Sequence, residues 1–334
     1  MPLRLVEVRL PEVPSDSESA IGDVQVVDHW ITAMDDGTAS LRVLVDTTRT
    51  EALADHLRDA YSESNLRIVV LAVEATIPKV DEEEPPENDP HDLATPGRIS
   101  REELHQDVEQ ATRLTPVYVA MVFLSTVVAA VGLIRGDVAI IIGAMVIAPL
   151  LGPNMGLALA ATLGDPPLAR TALRTIAVGV FTAGITSVLI GVVMRVDPTV
   201  PDIAARTQAG FGDIALGLAA GAAGTLAFTG GLPGTVVGVM VAVALLPPLV
   251  VSGLLVGAGE LEGAMGALLL VGVNISCINL AAVATFLIQK VRPRSWWEED
   301  RAKKAVRIAM ASWLVLLLGL AALIVFGDVG LDVG

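Results

Sequence analysis

The 334 residues carry 37 Asp+Glu against 22 Lys+Arg, a formal net charge of -15, with 53% hydrophobic residues, one cysteine and a mean hydropathy of +0.65. So apolar a chain leaves too little polar surface to face water, which excludes a wholly soluble protein. The acidic balance argues against a nucleic-acid partner and against charge-driven docking on anionic lipid, and the lone Cys277 excludes an intrachain disulfide.

Both properties are unevenly spread. Residues 1–99 hold 21 Asp+Glu and 8 Lys+Arg, a net of -13, while the remaining residues hold 16 and 14, a net of -2. Apolar runs of about 18 or more residues, long enough to cross ~30 Å of hydrocarbon, begin only near residue 115. Residues 1–20 are polar and acidic, without the apolar core of a cleaved signal peptide, so the first membrane segment is expected to act as the insertion signal.

Residues 3–10 (LRLVEVRL) read as a strand. Ser15 and Glu18 have capping-box spacing, so a short helix over 16–24 is expected, with Ala20, Ile21 and Val24 facing inward. Residues 25–34 and 38–46 read as a hairpin around Asp35, Asp36 and Gly37, since Asp-Gly suits a turn that needs positive φ. Thr48 and Glu51 form a second capping box, and the helix after it aligns Leu53, Leu57, Ala60 and Tyr61 on one stripe. Residues 66–76 (LRIVVLAVEAT) are mostly apolar and expected to form a central strand. The order β-α-β-β-α-β over residues 1–78 is that of a ferredoxin-like sandwich, an α+β soluble domain. His29, His56 and His91 lack metal-ligand spacing, so no metal and no cofactor are expected.

Residues 79–99 form an acidic, Pro-rich linker. A third capping box, Ser100 to Glu103, opens an amphipathic juxtamembrane helix over 100–114. Seven membrane segments follow within 115–326, at about 115–134, 138–163, 168–194, 213–230, 234–257, 263–288 and 307–326. Lys and Arg crowd the loops on one side: Arg170, Arg174, and the cluster of Lys290, Arg292, Arg294, Arg301, Lys303, Lys304 and Arg307. The positive-inside rule therefore favours a cytoplasmic N-terminus in an inner-membrane, multi-pass protein, with Trp296 and Trp297 near the inner interface.

An internal repeat is the most informative feature. Residues 143–165 (GAMVIAPLLGPNMGLALAATLGD) and 238–260 (GVMVAVALLPPLVVSGLLVGAGE) align at an offset of 95, pairing Met145 with Met240, Leu150 with Leu245, Pro153 with Pro248, and Asp165 with Glu260. Each copy spans three segments, so the second enters from the opposite side, an inverted repeat of the kind many secondary transporters use. The middle segments carry Pro149 and Pro153 in one copy, Pro247 and Pro248 in the other. Proline removes a helical hydrogen bond, and a backbone group left unpaired in lipid is costly, so two breaks would be tolerated only inside protein or beside water. Pro149, Gly152, Pro153, Asn154, Pro247 and Pro248 are thus candidate substrate-binding residues, the other reading being kinks that only shape packing. Asn274, Ser276 and Asn279 form a second polar cluster, suited equally to interhelical hydrogen bonding and to ligand contact. No Asp, Glu, Lys, Arg or His lies deep in a segment, so a buried proton relay is not visible.

The strings GAMVIAPLLGPNMGLALA, VALLPPLVVSGLLVG and GALLLVGVNISCINLAA resemble the bacterial and archaeal membrane family catalogued as domain of unknown function 389, over about residues 110–290. The resemblance implies a multi-spanning domain, often with a soluble N-terminal part, and carries over no catalytic or binding residues. Three functions remain open. The first is a transporter or channel for a small solute, with a cytosolic regulatory ligand-binding domain. The second is a membrane-anchored small-molecule sensor without transport. The third, an enzyme, finds no H-E-x-x-H, G-x-S-x-G, P-loop or CxxC pattern, so no catalytic residues are expected. The partners expected are the lipid bilayer, a small-molecule ligand or solute and, from the many small-residue helix faces, further copies in a homo-oligomer.

Overall fold

The computed structural model describes residues 3–14, 20–61, 66–76, 98–231, 234–293 and 296–331. They form two compact units, residues 1–105 with 229–231, and residues 106–228 with 232–334. The Ser15–Glu18 box, most of the linker and His91 lie outside the described residues, as do the side chains of Trp296 and Trp297.

The first unit is a small antiparallel sheet. Strands β1 (Leu3–Leu10), β2 (Asp28–Ala33), β3 (Ala39–Asp46) and β4 (Ile68–Val73) take the order β2-β3-β1-β4. Alternation decides which face is covered: Val6, Val8 and Leu10 with Leu41, Val43 and Val45 point one way, Arg9 and Arg42 the other. The apolar face packs on Ala20, Ile21 and Val24 and on helix α1 (Thr50–Ala60) through Leu53 and Leu57. Each leucine contributes roughly 2 kcal/mol by leaving water. At the hairpin, Gly37 has φ +80. Asp36 accepts from the Thr38 hydroxyl at 2.6 Å and its amide at 3.1 Å and pairs with Arg9. The Thr38 hydrogen bonds, with Arg9 beside them, hold the Asp36 carboxyl below its ordinary 3.8.

Three expectations fail here. Strand β4 is an edge, paired to β1 alone, with Val69 and Leu71 exposed; an apolar run does not by itself distinguish an edge from a centre. The Thr48–Glu51 capping box does not form. Asp46 caps a short 3₁₀ turn at Thr47–Arg49 instead, accepting from the Thr48 amide and hydroxyl at 2.9 and 2.8 Å, and α1 then starts at Thr50. Glu51 is engaged elsewhere, by Arg98 at 2.7 Å and the Arg101 amide at 2.5 Å. Ala60 is exposed rather than part of the buried stripe.

Helix α2 (Arg101–Thr112) carries half of the third box: Ser100 accepts from the Glu103 amide at 3.2 Å, while the Glu103 carboxylate pairs with Arg4 at 3.0 Å.

The second unit is helical: α3 (Pro116–Arg135), α4 (Val138–Ile147), α5 (Leu151–Leu163), α6 (Pro166–Val193), a short α7 (Pro201–Ala204), α8 (Phe211–Thr229), α9 (Gly234–Ala258), α10 (Leu261–Ile288) and α11 (Trp296–Leu331). Six of the described helices are long and apolar enough to cross a membrane, seven if α4 and α5, bent by 51°, count as one broken span. This is the make-up of a multi-pass membrane protein. Sequence chemistry sets the ends. Asp137 caps α4, and Asp165 caps α6 by accepting from the Leu168 amide at 3.0 Å, with prolines at the starts of α3 and α6. These acids therefore lie at helix ends, as their positions in the sequence indicate.

The boundaries keep the offset of 95: Pro116 and Phe211, Leu163 and Ala258, Pro166 and Leu261, and Val193 and Ile288 are each 95 residues apart. So are two pairs of left-handed glycines, Gly136 (φ 64) with Gly231 (φ 63) and Gly164 (φ 68) with Gly259 (φ 86). The middle segments differ. The first is broken between Ile147 and Leu151, but α9 runs unbroken through Pro247 and Pro248. The second of the two expected breaks is therefore absent.

Candidate functional site at the helix break

The break follows from two prolines four residues apart. Pro149 has no N–H for the Met145 carbonyl, and it pushes the preceding Ala148 to an extended ψ of 119. The Leu150 amide turns back onto the Ala148 carbonyl at 3.0 Å. Helix α5 then starts at Leu151 without a side-chain cap, and Pro153 sits in its first turn, where a missing N–H costs nothing. The C-terminal end of α4 and the N-terminal end of α5, opposite ends of their helix dipoles, meet at this point.

All of this is enclosed. Gly152, Pro153 and Asn154 are buried, and Pro149 is half-buried. Beside the break lies a cavity with about 20 Å³ of space, room for on the order of one water. Leu150, Pro153 and Asn154 line it from the break, Leu245 and Leu249 from either side of Pro247 and Pro248, and Ile275 from α10. The two proline segments thus face one cavity.

The asparagines sort by what they reach. Asn154 Nδ2 donates to the Leu150 carbonyl at 2.8 Å. Asn279 Nδ2 donates to the Ile275 carbonyl at 3.0 Å and to Asn154 Oδ1 at 3.4 Å, so these two candidates are brought together. Asn274 reaches α9 instead, donating from Nδ2 to the Ala244 carbonyl at 2.7 Å. That carbonyl is the one whose helical donor Pro248 lacks. Ser276 bonds the Gly272 carbonyl of its own helix at 2.8 Å and joins neither asparagine.

Two neighbours of the site were not singled out in the sequence. Tyr118, on the first turn of α3, lines the cavity and donates its hydroxyl to the Thr175 carbonyl at 3.2 Å. The chain has only two tyrosines, and a phenol within an apolar run was the available signal. The last turn of α2 lies on α5. Thr112 Oγ1 donates to the Gly152 carbonyl at 3.2 Å, Thr175 Oγ1 donates to the Thr112 carbonyl at 2.9 Å, and a Cβ on Gly152 would strike the Ala111 carbonyl group. The signal was the Gly152/Gly156 pair, which marks a close helix approach without naming the partner. Other glycine faces behave alike: Gly221 lies against Ile278, Gly257 against Val188.

No group of three or more His, Cys, Asp or Glu able to hold a metal ion occurs among the described residues. What the site presents is amide groups, carbonyls and helix ends.

The family described as Domain of unknown function (DUF389) matches residues 145–280, a span that begins in the last turn of α4 and ends just past Asn279. An uncharacterised protein of Methanocaldococcus jannaschii is 34% identical over 329 residues, covering 98% of this chain and 100% of that protein. No solved structure matches. With a relative similar along its whole length and the family's own pattern over the break, α9 and α10, the chain belongs to the DUF389 family.

Proposed function

We propose that the protein is a transporter or channel for a small solute, and not an enzyme, with its substrate path at the α4–α5 break. The observation that carries this reading is a membrane helix interrupted beside a cavity shared with the second proline segment. Interrupted helices survive in a membrane where they are buried in protein or border water, and transporters place substrates at such points. The cavity is small, as expected of a closed state.

The coincidence of helix boundaries and left-handed glycines at an offset of 95 supports two copies of a three-helix unit, inverted because the number is odd, with α11 outside the repeat. The strand order β2-β3-β1-β4 supports a ferredoxin-like N-terminal domain, which in this reading is cytosolic and regulatory, as the Lys and Arg distribution favours. The small-residue helix faces favour a homo-oligomer.

The test is flux in sealed vesicles reconstituted with the purified chain, using a panel of radiolabelled amino acids, sugars, carboxylates and inorganic ions. At least one solute should enter faster than into empty vesicles, and Asn154→Leu should abolish the excess. Flux equal to that of empty vesicles across the panel would contradict transport, and a ligand bound by residues 1–99 in that case would make the protein a sensor.

A further inference from the structure

We propose that strand β4 is the surface on which a second copy of the chain docks, the two β4 strands pairing antiparallel so that two N-terminal sheets become one. The contact lies in the soluble unit and stands apart from transport.

The sheet has two free edges, β2 and β4, and they differ in how they meet water. Strand β2 opens on the exposed Asp28, followed by His29, and carries an exposed Thr32. Strand β4 (IVVLAV) has no charge, proline or glycine, and Val69 and Leu71 are 40% and 45% exposed. Its backbone makes no hydrogen bond beyond the β1 ladder among the described residues. An apolar edge of β-branched residues, left without a guarding charge, proline or bulge, is a template for a further strand.

The flanking residues select which strand that is. Arg67 precedes β4 and Glu74 follows it, both exposed. Laid antiparallel on its own copy, β4 brings each Arg67 to the end that carries Glu74 of the other copy, and does so at both ends. Laid parallel, it would set like charges side by side. The segment is thus charge-complementary to its own reverse, as a twofold contact requires.

The two faces of β4 agree with that symmetry. Ile68 and Val70 pack on the core, while Val69 and Leu71 lie on the uncovered face, beside Glu7 and Leu5 of β1. A twofold axis perpendicular to the sheet keeps the helix-covered faces of both copies on one side. Centred on Leu71, it sets that residue against its own copy and each Val69 against Val73 of the other, so exposed apolar side chains cover one another. Copies held in one bilayer also meet at a raised effective concentration, which favours so short a contact.

Disulfide cross-linking in membranes tests the pairing on the full-length chain. On a Cys277→Ser background, Leu71→Cys treated with copper phenanthroline should give a covalent dimer on non-reducing gels. It should form several-fold faster than with Thr32→Cys, an exposed position on the other edge. Arg67→Glu should slow the Leu71→Cys cross-link several-fold by setting it against Glu74 of the second copy, and adding Glu74→Arg should restore the rate. All four positions are exposed, so none of these substitutions disturbs the core. Equal rates for Leu71→Cys and Thr32→Cys would overturn the proposal. So would a rate that Arg67→Glu leaves unchanged, or one that the double exchange does not recover.

Discussion

The two proline segments of the membrane unit start from the same deficit and end differently. Each lacks two backbone N–H groups, although Pro153, in the first turn of α5, leaves no helical carbonyl unserved. In the first, the prolines are four residues apart, the chain leaves the helix at Ala148, and it resumes bent by 51° at Leu151. In the second, the prolines are adjacent and α9 continues through them, with Asn274 donating to the Ala244 carbonyl from the neighbouring helix. Proline creates a missing donor, but whether the helix kinks or breaks depends on what a neighbour supplies. A side chain on α10 replaces the donor in one segment, and the last turn of α2 packs on the resumed helix in the other.

The largest expected effect sharpens this difference on the broken side. Gly152→Ala puts a methyl group where the Ala111 carbonyl carbon would be 2.8 Å away, so it should destabilise the folded chain by about 3 kcal/mol, read by detergent unfolding. A loss well under 1 kcal/mol would mean that α2 does not rest on α5. On the continuous side, Asn274→Leu removes the donor to Ala244 and should cost about 1–2 kcal/mol. The sharper form is a cycle. In a Pro248→Ala background, residue 248 regains the N–H that serves Ala244, so Asn274→Leu should then cost measurably less. Equal costs in both backgrounds would show that Asn274 does not substitute for that missing donor.

Pro149→Ala tests the break itself. With the N–H restored, hydrogen exchange should show new protection at residue 149 and little change in stability. Continued fast exchange there would assign the break to Pro153 and the α2 contact instead. The smallest effect lies in the soluble unit. Asp36 has its folded pKa lowered by Thr38 and Arg9, so its contribution is complete above 3.8 and lost as pH falls through the lower folded value. Asp36→Asn should therefore lower stability slightly above pH 3.8, make no difference below the folded value, and so flatten the acid side of the pH–stability curve. An unaltered acid limb would remove Asp36 from the account.

Much of the architecture was legible because it is written in local chemistry. Apolar run lengths placed the first six membrane segments within a few residues of their ends, while α11 begins at Trp296 rather than near 307, and period-two alternation placed β1 and β3. The offset of 95 was legible in the residues and recurs in the helix boundaries. What failed depends on partners distant in sequence. The edge position of β4 is decided by what pairs with it, since its six residues are apolar in either role. The Thr48–Glu51 box lost to an aspartate two residues earlier and to arginines that claim Glu51. The continuity of α9 was hidden because the asparagine that relieves Pro248 lies on the next helix. The asparagines themselves were visible as candidates, but the sequence did not say that Asn279 would meet Asn154 while Asn274 turned to Ala244 and Ser276 to its own helix.

The central claim is that the break borders a path open to solutes. Its most direct test is thiol labelling in sealed vesicles, on a Cys277→Ser background, with Leu150→Cys and Leu249→Cys placed singly on either side of the cavity. A membrane-impermeant methanethiosulfonate should modify both positions from at least one side of the membrane, well above the rate at Ala129→Cys, a buried position on α3. Leu150→Cys and Leu249→Cys as inert as Ala129→Cys from both sides would show that the break is sealed packing and carries no substrate.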